Sequence, residues 1–209
     1  MKVLRFMLCA ALLMALSSAA VVALSHVGSA QASSPSTSAT PASAPSDAQK
    51  SFEQLKSLAG KWEGKLTTVP VMAEMEGANP EITMRVTSRG NALVHEMKES
   101  GTPDDPAKYD HPVTMLYVDG EKLYLTHYCD AGNRPRMAAR TSADGKKIEF
   151  DFVDVAGGTQ YGHMHHAVFT VIDTNHHTED WTYMMPGDKP VQVHMDLQRT
   201  KEARSASGK

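Results

Sequence analysis

The feature that most constrains this chain is an alternation of apolar and polar residues that recurs from Gly60 to Arg199. Ile82, Met84 and Val86 alternate with Thr83, Arg85 and Thr87, and Leu93, His95 and Met97 with Val94, Glu96 and Lys98. Ile148, Phe150 and Phe152 likewise alternate with Lys147, Glu149 and Asp151. Successive side chains of a strand point to opposite faces, so this pattern marks strands buried on one side. Further strands are predicted over 113–118, 122–128, 135–142, 146–153, 161–172, 178–185 and 191–199. Turn residues punctuate them at Asp119-Gly120, Asp144-Gly145 and Pro186-Gly187. With a first strand through Trp62, the count comes to about ten, at the spacing of a meandering barrel or sandwich.

One stretch reads differently. Between Asp47 and Gly60, Phe52, Leu55 and Leu58 fall on one helical face, Asp47 stands where a cap is needed and Gly60 stops the turn. No second helical pattern follows, which excludes an alternating α/β fold. An open meander exposes two strand edges to other chains, and closure removes both. The predicted fold class is therefore all-β: a closed antiparallel meander β-barrel of about ten strands, with a short N-terminal helix capping one end. The end strands agree. Arg199 shares parity with Val191, Val193, Met195 and Leu197, and Trp62 with Gly64 and Leu66. A charge on the apolar side needs a partner, and on neighbouring strands the guanidinium can lie across the indole. The alternative is that Arg199 ends its strand in solvent.

Outside the alternating region, residues 1–32 read as a secretory signal peptide. Lys2 and Arg5 precede an apolar run through Leu16, and Ala30-Gln31-Ala32 supplies the small-residue cleavage site. A retained anchor is the alternative. Residues 33–46, nearly all Ser, Pro, Ala and Thr, read as a disordered linker, and 201–209 as a flexible tail, leaving 47–200 as the barrel domain. The expected location is secreted or periplasmic, with no stable membrane insertion after cleavage. Loss of the leader removes Cys9, so Cys129 has no partner for an intrachain disulfide and stability must come from packing. It also moves the formal charge from −3 to −5, with 19 basic residues against 24 acidic ones. A mildly acidic protein without a basic face argues against a nucleic-acid partner.

The helix, then Gly60-Lys61-Trp62, a β meander and a last strand ending in Arg199 resemble the calycin superfamily of lipocalins, fatty-acid-binding proteins and nitrobindin-type haem barrels. Gly60, Trp62 and Arg199 are the structural signature of that resemblance. It implies an antiparallel barrel whose lumen takes a small, largely apolar ligand. Leu125-Thr126-His127-Tyr128-Cys129 with Gly132-Asn133-Arg134-Pro135-Arg136-Met137 is also similar to a family of uncharacterised secreted bacterial lipocalin-like domains. After Gly64 come Lys65, Leu66, Thr67 and Thr68 rather than the glycine-rich continuation of nitrobindins, a departure that weighs against haem.

The chemistry-bearing residues are mainly histidines, ten in number. His163 and His165 share a strand face, and His127 and His95 share parity with leucines. The metal-ligating candidates are His95, His127, His163 and His165, which suit a transition metal or haem if neighbouring strands bring them together. The bland reading is that they hydrogen-bond inside the barrel. His176-His177 is expected in a solvated turn. Cys129 has no neighbour that would lower its pKa. Arg136 and Arg140 either hold a ligand carboxylate or form an exterior charged row. The many methionines suit either an adaptable cavity or plain core filling, and the segment 69–80, with Val71, Met72 and Met75, is placed to lid the mouth. There is no nucleophile elbow, phosphate loop or H-E-x-x-H helix, and no carboxylate pair that the sequence brings together, so no catalytic residue and no enzyme activity is predicted. The expected function is binding of a small hydrophobic or amphipathic molecule, without a cofactor, by Leu125, His127, Met137, Phe150, Phe152, His165, Trp181 and Tyr183. The alternatives are a His-ligated metal or haem barrel and a structural or partner-binding envelope domain.

Overall fold

Helix α1 (Asp47–Lys56) leads into ten strands in a computed structural model that describes residues 44–201. They are β1 (Gly60–Val69), β2 (Pro80–Thr87), β3 (Ala92–Glu99), β4 (Val113–Asp119), β5 (Lys122–Tyr128), β6 (Arg134–Thr141), β7 (Lys147–Ala156), β8 (His163–Asp173), β9 (His176–Met185) and β10 (Lys189–Arg199). Each strand pairs antiparallel with the next, and β10 returns to β1, so the sheet is a closed ten-strand meander barrel. The leader, the linker up to residue 43 and the tail beyond Lys201 lie outside the described residues.

Alternation decides which side chains enter. Leu123, Leu125 and His127 of β5 are buried, as are Ile148 and Phe150 of β7 and Met195, Leu197 and Arg199 of β10. The outward positions carry charge. Arg136 pairs with Asp154, Arg140 with Asp151 and Glu149, His194 with Asp180 and His176 with Asp196. Pairs this exposed add little stability, but they give the barrel a wet outer face. Arg136 and Arg140 thus belong to the exterior row.

Closure is sealed by one stack. Trp62 pairs in register with Arg199, whose guanidinium carbon lies 4.2 Å from the indole centroid. The same guanidinium donates to the carbonyl oxygens of Thr174 (2.9 Å), Ala59 (2.8 Å) and Ser57 (3.2 Å), while Trp62 Nε1 donates to Leu58 O at 2.8 Å. Arg199 therefore ties the end of the helix, the β8–β9 turn and both closing strands together. Gly64, two residues along, lets β10 approach: a Cβ there would run into the carbonyl oxygen of Asp196.

The helix plugs this end. Phe52, Leu55 and Leu58 join Trp62, Leu93, Leu116, Leu123, Phe150 and Phe169 in one core cluster, and Ser51 Oγ meets Thr141 Oγ1 at 2.6 Å. Two local expectations are corrected. The N-cap is Ser46, not Asp47. Ser46 Oγ accepts from Gln49 N and Gln49 Oε1 accepts from Ser46 N, a reciprocal box that Asp47 cannot form from inside the helix. His176-His177 is not a solvated turn. The Asp173 carboxylate accepts from Asn175 N at 2.7 Å and tightens the turn, so β9 begins at His176 and places His177 inside, fully buried.

Replacing Arg199 with lysine keeps the charge but loses the planar fork, leaving buried carbonyls without donors. We expect Arg199→Lys to cost about 2 kcal/mol. The measurement is urea unfolding, read as a lower midpoint at unchanged slope.

Candidate functional site

The β9 alternation His177, Glu179, Trp181 sends three polar-bearing side chains into the barrel. Glu179 is completely buried. Its Oε2 lies 2.9 Å from His95 Nε2 on β3 and accepts from Trp181 Nε1 at 2.9 Å, while Oε1 lies 3.0 Å from His177 Nε2. The indole can only donate, and an ionised carboxylate can only accept. Both imidazoles therefore present Nε2–H to Glu179, and three donors satisfy one buried charge. Burial alone would raise the Glu179 pKa. The charge of His95 and the hydrogen bonds from His177 and His95 outweigh it and hold the carboxyl well below the usual range.

The network continues on both sides. His177 meets the Trp62 ring edge-on at 4.2 Å, linking Glu179 to the closing stack, and its buried Nδ1 has no partner among the described residues. On the other side the rings of His95 and His127 each lie 5.7 Å from Trp181. His127 Nδ1 is 2.9 Å from Thr114 Oγ1. Burial, then the nearby His95, pushes the His127 pKa down to about 4.

Trp181 has a second role. Its far face, with Tyr183, lines an apolar pocket of 480 Å³ at the end of the barrel opposite the helix. Six methionines line it as well, from β3, β8, β9, β10 and the β1–β2 loop, with Leu66, Val191 and Val193. Met72 and Met75 of that loop lie over the mouth. A larger recess of 630 Å³ beside α1 is walled by Asp47, Lys50, Gln54, Glu121 and Lys122 together with Ala48, Leu123 and Ala139, a mixed charged and apolar wall at the helix end.

The structure separates the residues read from sequence. Trp181 and Tyr183 reach the pocket wall, and His127 stands behind Trp181. Leu125, Met137 and Phe150 are fully buried in the packed core. Phe152 stacks on His165 at 5.0 Å and meets the tilted ring of His163 at 4.9 Å, with 3.1 Å between His163 Nε2 and His165 Nδ1. The four candidate metal ligands thus fall in two places, His95 and His127 beside Trp181, His163 and His165 against Phe152. Among the described residues, the group of three donor atoms all within 4.8 Å of one another is Asp110, Cys129 and Asp130 at the mouth. Cys129 follows β5, half-buried, and burial pushes its thiol pKa up. Sequence reading missed Glu179 and Asp130. The first was detectable, since it shares parity with Trp181. The second lies in a loop with no periodicity.

No family model matches the sequence, and no curated protein matches it. Among solved structures the chain is similar to Rv2717c from M. tuberculosis, at 13% identity, covering 72% of this chain and 98% of that one with a TM-score of 0.53. A protein of unknown function from the DUF3598 family of Nostoc punctiforme PCC 73102 aligns at 8% identity, covering 70% of this chain and 49% of that one, with a TM-score of 0.45. The first likeness is one of fold. The chain is built as a closed ten-strand antiparallel barrel.

The unfolded His127 titrates near 6.5 and the folded one near 4, so the unfolded state takes up this proton first. The stability involved is whole above pH 6.5 and is lost, up to about 3 kcal/mol, as pH falls to 4. Glu179 acts in the same direction but lower: its contribution is present above the ordinary carboxylate range and is lost only on further acidification. Urea unfolding of wild type across pH 7 to 4 is expected to show the loss, and His127→Gln to flatten it. Parallel curves for the two proteins would contradict the assignment.

Proposed function

We propose that the protein is a secreted or periplasmic binding barrel of the calycin type that takes a small hydrophobic or amphipathic ligand and performs no catalysis. The observation that carries the reading is the 480 Å³ methionine-lined pocket floored by Trp181. Its volume lies within the range of small-molecule sites, and flexible thioethers adapt to irregular apolar shapes. The floor is stiff, because Glu179 holds the indole nitrogen from below. Secretion is supported by the leader-like residues 1–32, and free solution rather than membrane insertion by the charged outer face. The partner is a small molecule, not a nucleic acid.

A histidine-ligated haem or metal in the pocket requires an imidazole facing it. None of the pocket-lining residues is a histidine, and His95 and His177 spend Nε2 on Glu179. These residues do not fit such a group, and the reading includes no cofactor.

Titration with Nile red, an uncharged solvatochromic dye, tests the pocket. We expect saturable blue-shifted emission at one site per chain, weakened at least about tenfold by Val193→Phe, which fills the cavity from β10. Emission that stays that of the dye in water, or identical titrations for both proteins at equal folded content, would defeat this reading.

A further inference from the structure

We propose that the mouth pocket selects cationic amphiphiles: the alkyl chain lies among the methionines and an ammonium head group is held at Asp130. This rests on the pocket reading and adds the sign of the head group, opposite to that of a fatty acid.

Asp130 is the one charged side chain among the residues lining the pocket. Its backbone N–H donates to Asp110 Oδ1 at 3.2 Å, which brings a second carboxylate to the same edge. The surrounding loops reinforce them. The five segments that join strands at this end (70–79, 100–112, 129–133, 157–162 and 186–188) carry seven Asp and Glu residues and one lysine, Lys108. Lys108 is already 3.4 Å from Asp105. The strand ends beneath add Lys98, Arg134, Arg136 and Lys189 against Glu81, Glu99 and Asp154, which lowers the excess by one charge and leaves this end strongly acidic. At the helix end, α1 and the connecting segments balance four acidic residues with four basic ones. The charge is thus polarised along the barrel axis, with the negative pole at the only mouth that opens on the apolar pocket among the described residues.

That field reaches the pocket wall. Burial pushes the Tyr183 phenol up, and Cys129, Asp130 and Asp110 push it further. Burial, and after it the charge of Asp130, pushes the Asp110 carboxyl up as well. The arginines suited to a ligand carboxylate are elsewhere: Arg136 and Arg140 lie on the outer face, held by Asp154, Asp151 and Glu149. An anion entering this mouth meets like charge, and no arginine lines the pocket. A cation is drawn in and partly desolvated against Asp130.

Dodecylamine, dodecanol and dodecanoate share a chain and differ in head group. Each is titrated below its micelle concentration or solubility limit, at pH 7, against Nile red bound to the chain. We expect dodecylamine to displace the dye at about one tenth the concentration of dodecanol, with dodecanoate weakest, and the gap to shrink in high salt. Asp130→Asn is expected to close most of the gap between amine and alcohol, and Glu121→Gln at the helix end to leave it. Dodecanoate binding as tightly as the amine, a gap that survives Asp130→Asn, or equal losses in both variants would overturn the head-group inference while the pocket reading stands. Failure of all three compounds to displace the dye would instead remove the pocket reading itself.

Discussion

The barrel depends on the stack of Arg199 on Trp62. A ten-strand meander has two free edges until its ends meet, and backbone pairing alone does not specify which residues face each other there. The guanidinium adds that specification. It sits over the indole of its register partner and reaches three carbonyls, on the helix end, the helix–strand link and the β8–β9 turn. A slip of one residue would turn Arg199 outward and leave those carbonyls unpaired beneath the helix. The charge is therefore tolerated inside because it is consumed by the closure.

From this seal the interior divides into two halves. The helix half is packed with buried leucine and phenylalanine. The other half is lined by methionine and opens at the mouth. Glu179 stands at the boundary. Burying a carboxylate is costly unless every lone-pair direction finds a donor, and here two imidazoles and an indole converge on it. The network joins the closing stack, through His177 and Trp62, to the pocket floor, through Trp181. Seal and floor are thus parts of one polar spine, and the pocket begins where that spine ends.

Much of this was legible before the fold was known. The parity of Trp62 and of Arg199 is a local property, and both proved to lie inside. The methionines of the β1–β2 loop were placed at the mouth by position alone. What escaped was convergence. His177 was assigned to a turn because Asp173-Thr174-Asn175 looks like a longer loop than the Asp173 side chain makes it. Glu179 was passed over because a lone acid beside Asp180 gives no hint that His95, 84 residues away, will meet it. The acidic mouth escaped for a similar reason: its carboxylates are scattered over separate loops and become one field only when the strands bring those loops to the same end.

The sequence by itself determined the strand count, the meander order, the helix before the first strand and the inward parity of most positions. Those follow from burial with a period of two and from turn chemistry, which act between near neighbours. Only the tertiary structure decided which histidines meet Glu179, where packing stops and a cavity starts, and at which end the charge gathers. These depend on register accumulated around a closed ring, where each bulge, such as those at Arg136/Met137 and Met164/His166, shifts every later neighbour. No local pattern carries that sum.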